Sequence, residues 1–304
     1  MLINIAPKYP NPPRFRLKSK YVNSIIQEHF GKKVLESLPD EYATYEDIDK
    51  KLRALTDQYQ GHTVLSLIDE LNIEIDRKRL PYHIPKQINE QIVVKMFGGT
   101  ARKISKLELF EKIALNAKNI VLTAKGARTE DMKLFTLDLE ELFDKDLEGK
   151  FEESSFYEYF SSNQLLCIVY EEPNEEKNAF RKKGKTNLGN NKFIGFKRLS
   201  FSDEFINTEV KEVWEEIRDL LINNKLRESI EYDKNTNSPI YNKSGTIRKS
   251  INFPKATNHK IFVRGTGSDA TNKSWRINGI DMYVQSIWIK GSYIAELLKD
   301  ADYI

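Results

Sequence analysis

The first hundred residues carry apolar side chains at the spacing of amphipathic helices. This spacing predicts helices over residues 20–30, 64–71 and 89–97. Another helix is predicted to begin after Thr44, because Thr44 can serve as its N-cap and Asp47 lies in its first turn. We therefore expect this part of the chain to be mostly helical.

From about residue 113 the pattern changes to short apolar or alternating runs separated by polar turns, which is typical of strands. Strands are predicted over residues 113–122, 132–139, 165–170, 193–199, 261–263 and 283–289. Helices are predicted over residues 151–160, 207–224 and 292–298, with a polar, loop-rich segment over 225–258. The pattern predicts an α/β or α+β fold, in which a central mixed sheet is flanked by helices and preceded by a helical part.

The first twenty residues differ in composition from the rest. They contain several prolines and basic residues and no Asp or Glu, which predicts a basic extended arm over residues 1–20. Residues 21–304 are predicted to form a single domain, with a helical part over 21–100 and a sheet-containing part over 101–304.

The composition, with 39% hydrophobic and 31% charged residues in 304, is typical of a globular protein. No apolar run approaches the roughly 20 residues of a membrane span, so we expect no membrane partner. Cys167 lies in an apolar run and is predicted to be a buried structural thiol. Without a disulfide framework or a Cys/His cluster, we expect a cytoplasmic protein with no structural zinc. The four histidines are expected to have surface or satisfied core roles.

The net charge is only +3, but the charge is unevenly distributed. Residues 241–299 contain about ten basic residues against three acids, whereas residues 129–158 are strongly acidic. A basic face and a separate acidic face are expected of a nucleic-acid binder. A merely solvated basic surface explains the charge equally well.

One predicted strand has the remains of a nuclease motif. Hydrolysis of a phosphodiester with Mg²⁺ requires carboxylates that hold the metal and a lysine that positions or activates water. In nuclease folds these residues form an Asp followed by Glu-x-Lys on a strand. Here Lys118 occupies the lysine position, but Asn116 replaces the glutamate, with Glu108 and Glu111 upstream. Because a neutral amide is a weak ligand for a hard dication, we predict a degenerate site with no catalytic residue and no metal ligand.

A later predicted strand ends at Arg264 and opens into a loop of small residues. Arginine can donate bidentately to guanine, asparagine can pair with adenine, and hydroxyl groups can hold phosphates. In the following strand, the two-residue period places Trp288 and Lys290 on one face, where they could contact the DNA backbone. The candidate DNA-binding residues are Arg264, Thr266, Ser268, Thr271, Asn272, Lys273, Trp288 and Lys290. The alternatives are an ordinary glycine-rich turn and, for Trp288, a core position.

Residues 193–197, 212–219, 261–264 and 286–294 carry a resemblance to a known family. In order and spacing they resemble the MutH-like restriction endonucleases. The chain is most similar to the C-terminal half of the two-domain, GATC-cutting type II enzymes of that family. The resemblance implies a MutH-like fold in which Arg264 and the loop to Lys273 read bases. The chain departs from the family at Gly265, where mismatch-repair members have proline, and at Asn116.

In those two-domain enzymes the C-terminal half keeps the fold without the catalytic carboxylates and binds another copy of the site. The resemblance therefore implies a non-catalytic, allosteric, sequence-specific domain that binds duplex DNA and needs no cofactor. Its partner would be a catalytic domain preceding it in a longer enzyme. One alternative is an active Mg²⁺-dependent endonuclease that uses Glu108 or Glu111 with Lys118. The other is a protein-interaction module that docks through its acidic middle.

Overall fold

The computed structural model of the chain describes residues 3–5, 15–17, 19–31, 35–42, 44–76, 84–85, 87–112, 115–128, 130–173, 188–233, 235–242, 245–267 and 273–304. Its strands are β1 (Ile3–Ile5), β2 (Phe15–Leu17), β3 (Leu115–Leu122), β4 (Met132–Thr136), β5 (Gln164–Glu171), β6 (Lys192–Leu199), β7 (Glu228–Ile230), β8 (Lys249–Ile251), β9 (Ile261–Thr266), β10 (Trp275–Ile277), β11 (Ile280–Met282) and β12 (Val284–Ile289). Its α-helices are α1 (Ser19–His29), α2 (Tyr45–Tyr59), α3 (Val64–Glu70), α4 (Ile88–Met96), α5 (Glu108–Lys112), α6 (Leu139–Phe143), α7 (Ser155–Ser162), α8 (Asp203–Phe205), α9 (Lys211–Ile222) and α10 (Gly291–Asp300).

These elements form an α+β fold, as predicted, but the described strands make several small sheets instead of one central sheet. The chain divides into two compact units. Unit 1 comprises Met1–Arg128, Ser162–Ser200 and Ala295–Ile304, and unit 2 comprises Thr129–Ser161 and Phe201–Ile294. Both units contain helices and strands, so this division does not follow the predicted change near residue 100. Among the described residues, no helix has the length and apolar character needed to cross a membrane.

Unit 1 is built on the sheet β3-β5-β6, in which β5 is parallel to β3 and antiparallel to β6. The helices α2, α3 and α4 bury their apolar stripes in the same cluster as one face of β5. The predicted capping of α2 is confirmed: Thr44 Oγ1 accepts from the N–H of Asp47 at 3.2 Å, and Asp47 Oδ2 accepts from the N–H of Thr44 at 2.9 Å. Of the arm predicted over residues 1–20, β1 and β2 are described and pair antiparallel, and residues 19 and 20 already belong to α1; the rest lies outside the described residues.

A carboxylate joins two distant segments of unit 1. Glu36 accepts hydrogen bonds from the N–H and hydroxyl of Thr100, at 2.6 and 2.9 Å, and from the N–H of Ala101 at 2.6 Å. Burial alone would raise the pKa of Glu36, but these hydrogen bonds outweigh it, so the pKa lies below the ordinary value of 4.5. The ionised carboxylate is therefore the form that the fold favours.

The C-terminal end of α10 is capped by a buried lysine of β6. Lys197 is 8% exposed, and its Nζ donates to the carbonyl oxygens of Leu298 and Ala301 at 2.7 and 2.8 Å. The same ammonium lies 4.1 Å from the ring centroid of Tyr303. Helix C-termini leave carbonyl groups without partners and carry partial negative charge. Lys197 satisfies two such groups with one cation.

Unit 2 is built on the antiparallel sheet β4-β12-β9. Phe135 of β4 packs against Phe156 and Tyr159 of α7, with ring centroids 5.1 and 4.6 Å apart. The amphipathic helix predicted over residues 207–224 is observed as α9 and the π-helical segment Ile206–Val210 before it. Arg218 of α9 is 5% exposed and donates to backbone carbonyls at the end of α6, including that of Leu142 at 3.1 Å.

Two antiparallel hairpins of unit 2 were not predicted. β10 and β11 are joined by Asn278 and Gly279, with φ angles of 51° and 80°. An Asn-Gly pair with positive φ at both positions is the preferred two-residue hairpin turn, so this signal was present in the sequence. The segment predicted to be loop-rich, 225–258, contains the pair β7–β8. All three residues of β7 are exposed, so the burial alternation that marks a strand is absent from it.

Candidate nucleic-acid interface

One face of the β4-β12-β9 sheet brings the predicted arginine beside an aromatic ring and a lysine. In β12, Trp288 is opposite Phe262 of β9 and Lys133 of β4, while Ser286 is opposite Arg264. Residues directly opposite each other in antiparallel strands project from the same face. We call this surface the Arg264 face; its members are Lys133, Thr136, Phe262, Arg264, Ser286 and Trp288.

The other face of this sheet belongs to the core of unit 2. Ile287 and Ile289 of β12 are completely buried, and Phe135, opposite Ile287, contacts the aromatic rings of α7. On the Arg264 face, by contrast, Arg264 and Thr136 are exposed. One side of the sheet is therefore buried and apolar; on the other side Arg264 and Thr136 are exposed, whereas Phe262 and Ser286 are buried.

A register shift in the β4–β12 pair places Lys133 on the polar side. Phe135 is opposite Ile287, but the next pair joins Lys133 to Trp288, which leaves Leu134 as an extra residue. In a regular strand, side chains alternate between faces, so Lys133 would share a face with Phe135. The extra residue brings Lys133 to the side of Trp288 instead.

Arg264 is held by an ion pair and two aromatic rings. Its Nη2 donates to Oδ2 of Asp131 at 2.6 Å. Its guanidinium carbon lies 4.9 Å from the ring centroid of Phe262 and 5.0 Å from that of Trp288. The planar, weakly hydrated guanidinium stacks well on aromatic faces. Because the Arg264 side chain is still 46% exposed, these contacts fix it without covering it.

Asp131 is itself held by the backbone. Its Oδ1 accepts a hydrogen bond from the N–H of Gly291, the first residue of α10, at 3.2 Å. A carboxylate is favoured at a helix N-terminus because of the unpaired N–H groups and the helix dipole there. The Asp131 carboxylate thus connects the start of β4, the start of α10 and the Arg264 side chain of β9.

Trp288 forms part of the surface on which Arg264 lies. The residue is half-buried, and its indole Nε1 is buried with no hydrogen-bond partner among the described residues. Its ring therefore contributes its face, and not its N–H group, to the contact with Arg264. Ser286, next along this face, is completely buried, and its hydroxyl is 3.4 Å from that of Thr136.

Two further lysines lie just beyond the strand ends. Lys290 follows β12 and its N–H donates to the carbonyl of Lys260, which precedes β9, at 2.9 Å. Lys260 is exposed, with its Nζ 4.4 Å from the ring centroid of Tyr293, and Lys290 is half-buried. With Lys133 and Arg264, four basic residues thus belong to this sheet or to its strand ends, and a cluster of basic residues favours an anionic ligand.

The loop that follows β9 is described at its two ends. Thr266, the last residue of β9, donates its hydroxyl to the carbonyl of Val284 at 3.2 Å, and so fastens the start of the loop to β12. At Gly267, an added Cβ would lie 2.5 Å from the Tyr283 ring, so a larger residue there would have to displace this ring. Lys273 is exposed at the far end. The other candidates lie outside the described residues: Ser268, Thr271 and Asn272.

The strand with the remains of a nuclease motif is β3, in unit 1. Asn116 is opposite Leu165, and Lys118 is opposite Cys167, both buried residues of β5. Burial raises the pKa of the Cys167 thiol to about 12, although the nearby Arg128 and Lys118 cations act in the opposite direction. The prediction of a buried, structural cysteine is confirmed.

The carboxylates upstream of β3 were the remaining candidates for metal binding. Glu108 accepts a hydrogen bond from the Ser37 hydroxyl at 2.8 Å, and the side chain of Glu111 lies outside the described residues. No group of three His, Cys, Asp or Glu side chains suited to a metal ion occurs in the described part of the chain. Because Asn116 offers a neutral amide where a Mg²⁺ site needs a carboxylate, the described residues around β3 do not fit a nuclease metal centre.

His259 has the satisfied core role expected of the histidines. It is 8% exposed, with Nε2 3.2 Å from Glu216 Oε2 and Nδ1 3.9 Å from Glu209 Oε1. Glu209 also accepts from the N–H of Lys260. These contacts anchor the segment that leads into β9, and so they position the strand that carries Arg264.

Several residues of the interface were missing from the sequence prediction, among them Asp131, Lys133 and Phe262. Asp131 is 133 positions from Arg264 and lies in an acidic stretch. Lys133 reaches the Arg264 face only through the register shift. Phe262 had a usable signal, because the two-residue period of a strand places it on the same face as Arg264.

Comparison with models of known protein families gave no match to this chain, and comparison with curated proteins gave none either. The interpretation of the Arg264 face therefore depends on its own geometry and on the sequence resemblance.

Proposed function

We propose that this chain binds duplex DNA sequence-specifically through the Arg264 face. In this proposal it is a non-catalytic, allosteric domain of a type II restriction endonuclease with a MutH-like fold. GATC is the site that the resemblance implies. Its partners are duplex DNA and a catalytic domain of the same enzyme in the cytoplasm, and the domain itself needs no cofactor.

The observation that carries the proposal is the geometry of Arg264. Its guanidinium is fixed by an ion pair and two rings, yet the side chain is 46% exposed. Such a group is suited to donate two parallel hydrogen bonds to one planar acceptor. The O6 and N7 atoms of guanine in the major groove form such an acceptor. Arg264 lies on β9, which pairs only with β12 among the described strands of this sheet.

The lysines near Arg264 are suited to bind the DNA backbone. Phosphate contacts give affinity and orientation, whereas contacts with base edges give specificity. Lys133 is a member of the Arg264 face, and Lys260 and Lys290 lie just beyond the ends of β9 and β12; the flexible ammonium groups of lysines suit phosphates. We assign base reading to Arg264 and backbone binding to these lysines.

The non-catalytic assignment is supported by β3. Asn116 and Lys118 are opposite buried apolar positions of β5, and Asn116 offers a neutral amide where a Mg²⁺ site needs a carboxylate. The strand retains the lysine of the motif without the charge that a metal requires.

Binding titrations test the proposal. The chain is titrated with duplexes that contain GATC or a scrambled site, at several salt concentrations, because phosphate contacts make affinity fall steeply with ionic strength. The GATC duplex is expected to bind more tightly at every concentration. Equal affinity for both duplexes throughout contradicts specificity, and no binding at low salt favours the protein-interaction alternative.

A matched pair of lysine variants locates the interface. Lys290→Ala is expected to weaken binding to both duplexes alike and to reduce the slope of log K against log salt by about 0.9, since one phosphate contact is lost. Lys299→Ala, an exposed lysine on α10, is expected to change neither. Incubation of GATC plasmid with Mg²⁺ tests catalysis, and cleavage abolished by Lys118→Ala would show an active nuclease.

A further inference from the structure

We propose that Asp131 is the positioning residue that sets Arg264 for base reading, and that it determines specificity through this one contact. The inference rests on the proposed function and deepens it. Asp131 lies in the acidic segment before β4, and sequence alone gives it no role in DNA binding.

The geometry gives Asp131 two separate attachments. Its Oδ1 is bound to the N–H of Gly291 and its Oδ2 to Nη2 of Arg264. The carboxylate is therefore restrained independently of the arginine, because its other oxygen is bound at the start of α10. With the rings of Phe262 and Trp288 fixing the plane of the guanidinium, Asp131 fixes its rotation within that plane.

Positioning matters because a free arginine side chain occupies many rotamers, and binding must select one. A side chain that is already held in its bound geometry avoids this loss. Arg264 has five N–H donors, and one of the two on Nη2 is directed at Asp131. The exposed fraction of the side chain leaves the guanidinium accessible to a base edge.

The charge of Asp131 distinguishes a base contact from a phosphate contact. A carboxylate 2.6 Å from the guanidinium repels a phosphate that approaches the same group. The guanine edge is neutral and offers two acceptors, so it avoids most of this repulsion. An arginine paired with a fixed carboxylate is thus better suited to reading a base than to binding the backbone.

The experiment compares the ratio of affinities for the GATC and scrambled duplexes in four proteins: the full chain and its Asp131→Ala, Asp131→Asn and Glu231→Ala variants. Glu231 forms an ion pair with Arg248 at 2.8 Å, is not a member of the Arg264 face, and matches the charge change. Asp131→Asn keeps an acceptor for the Gly291 N–H and removes the charged contact to Arg264.

Asp131→Ala and Asp131→Asn are both expected to lower the affinity ratio about fivefold or more, the low end for a bidentate base contact. Glu231→Ala is expected to leave the ratio unchanged. In an Arg264→Ala background, Asp131→Ala should have no further effect, because a residue that acts through Arg264 has nothing left to position. Urea unfolding of each variant reports its stability separately.

Two results would overturn the inference while leaving the proposed function intact. One is an Asp131→Ala variant that binds both duplexes more tightly while the ratio of the two affinities stays unchanged. The carboxylate would then only weaken DNA binding by charge repulsion. The other is an equal loss of ratio in the Arg264→Ala background, which would make its role structural. If the unchanged protein shows no preference for GATC or for a related site, the proposed function itself fails.

Discussion

Arg264→Lys separates the two contributions that the Arg264 face is proposed to make. Lysine keeps the positive charge and nearly the reach of arginine, but it replaces the planar fork with a point charge on a flexible chain. The contacts that hold Arg264 depend on the fork. Its Nη2 meets Asp131 at 2.6 Å, and its plane lies over Phe262 and Trp288 at about 5 Å.

The magnitude follows from the contact that is lost. A bidentate arginine–guanine contact is worth about 1–3 kcal/mol of discrimination, and about 1.4 kcal/mol corresponds to a tenfold change in affinity. The preference for the GATC duplex is therefore expected to fall by about 5- to 150-fold. Affinity for the scrambled duplex should change little, because the charge remains.

Fluorescence anisotropy titrations of both duplexes over a series of salt concentrations measure the two quantities together. The slope of log K against log salt is expected to stay the same for Arg264→Lys, whereas Lys290→Ala should reduce it. The reasoning is wrong if Arg264→Lys keeps the full preference for GATC, or if it changes the salt slope by a whole phosphate contact, about 0.9.

Two further predictions concern stability. Glu36→Gln replaces a carboxylate that accepts three hydrogen bonds and is expected to cost about 2 kcal/mol at neutral pH. The folded-state pKa of Glu36 lies below 4.5, so the stabilisation by its carboxylate is present above that pH and is lost as the pH falls through the lower folded value. Urea unfolding at several pH values should therefore show the free energies of unfolding of the two proteins becoming equal in acid. A difference that stays constant with pH would contradict this. Lys197→Met leaves two carbonyls at the end of α10 without their donor and is expected to destabilise by about 2–3 kcal/mol, as measured by urea unfolding. Lys299→Met, an exposed control on the same helix, should change stability little.

The parts of the fold that depend on local sequence were predictable. Helix α2 begins where Thr44 and Asp47 form their reciprocal cap, and the observed strand β5, Gln164–Glu171, lies within one residue of its predicted bounds. Period and capping involve neighbours in the chain, so they can be read from the sequence directly. The pairing of strands is different, because alternation shows which side chains share a face but not which strand lies beside which. This is why one central sheet was expected where several small sheets occur.

The residues of the candidate site also divide into those that local sequence predicts and those that depend on contacts between distant positions. Arg264, Trp288 and Lys290 could be found because each lies at or near the end of a recognisable strand. Asp131 could not, because its contact with Arg264 joins positions 133 residues apart. No local rule predicts that an acid from a strongly acidic segment will orient the central cation of a basic face. Lys133 was hidden for another reason, since the strand that carries it departs from regular alternation.

The register shift in β4 affects how this chain should be aligned with related sequences. Because Leu134 is the extra residue, a relative that lacks it would pair β4 and β12 regularly and still present a lysine beside tryptophan. A relative that gains a residue elsewhere in the strand would turn the lysine towards the core, where an unpaired charge is costly. The loss of residue 134 would therefore keep the faces in register, although it would remove a buried leucine. If such a relative were aligned without a gap in Met132–Thr136, residues from opposite faces of β4 would be placed in the same column.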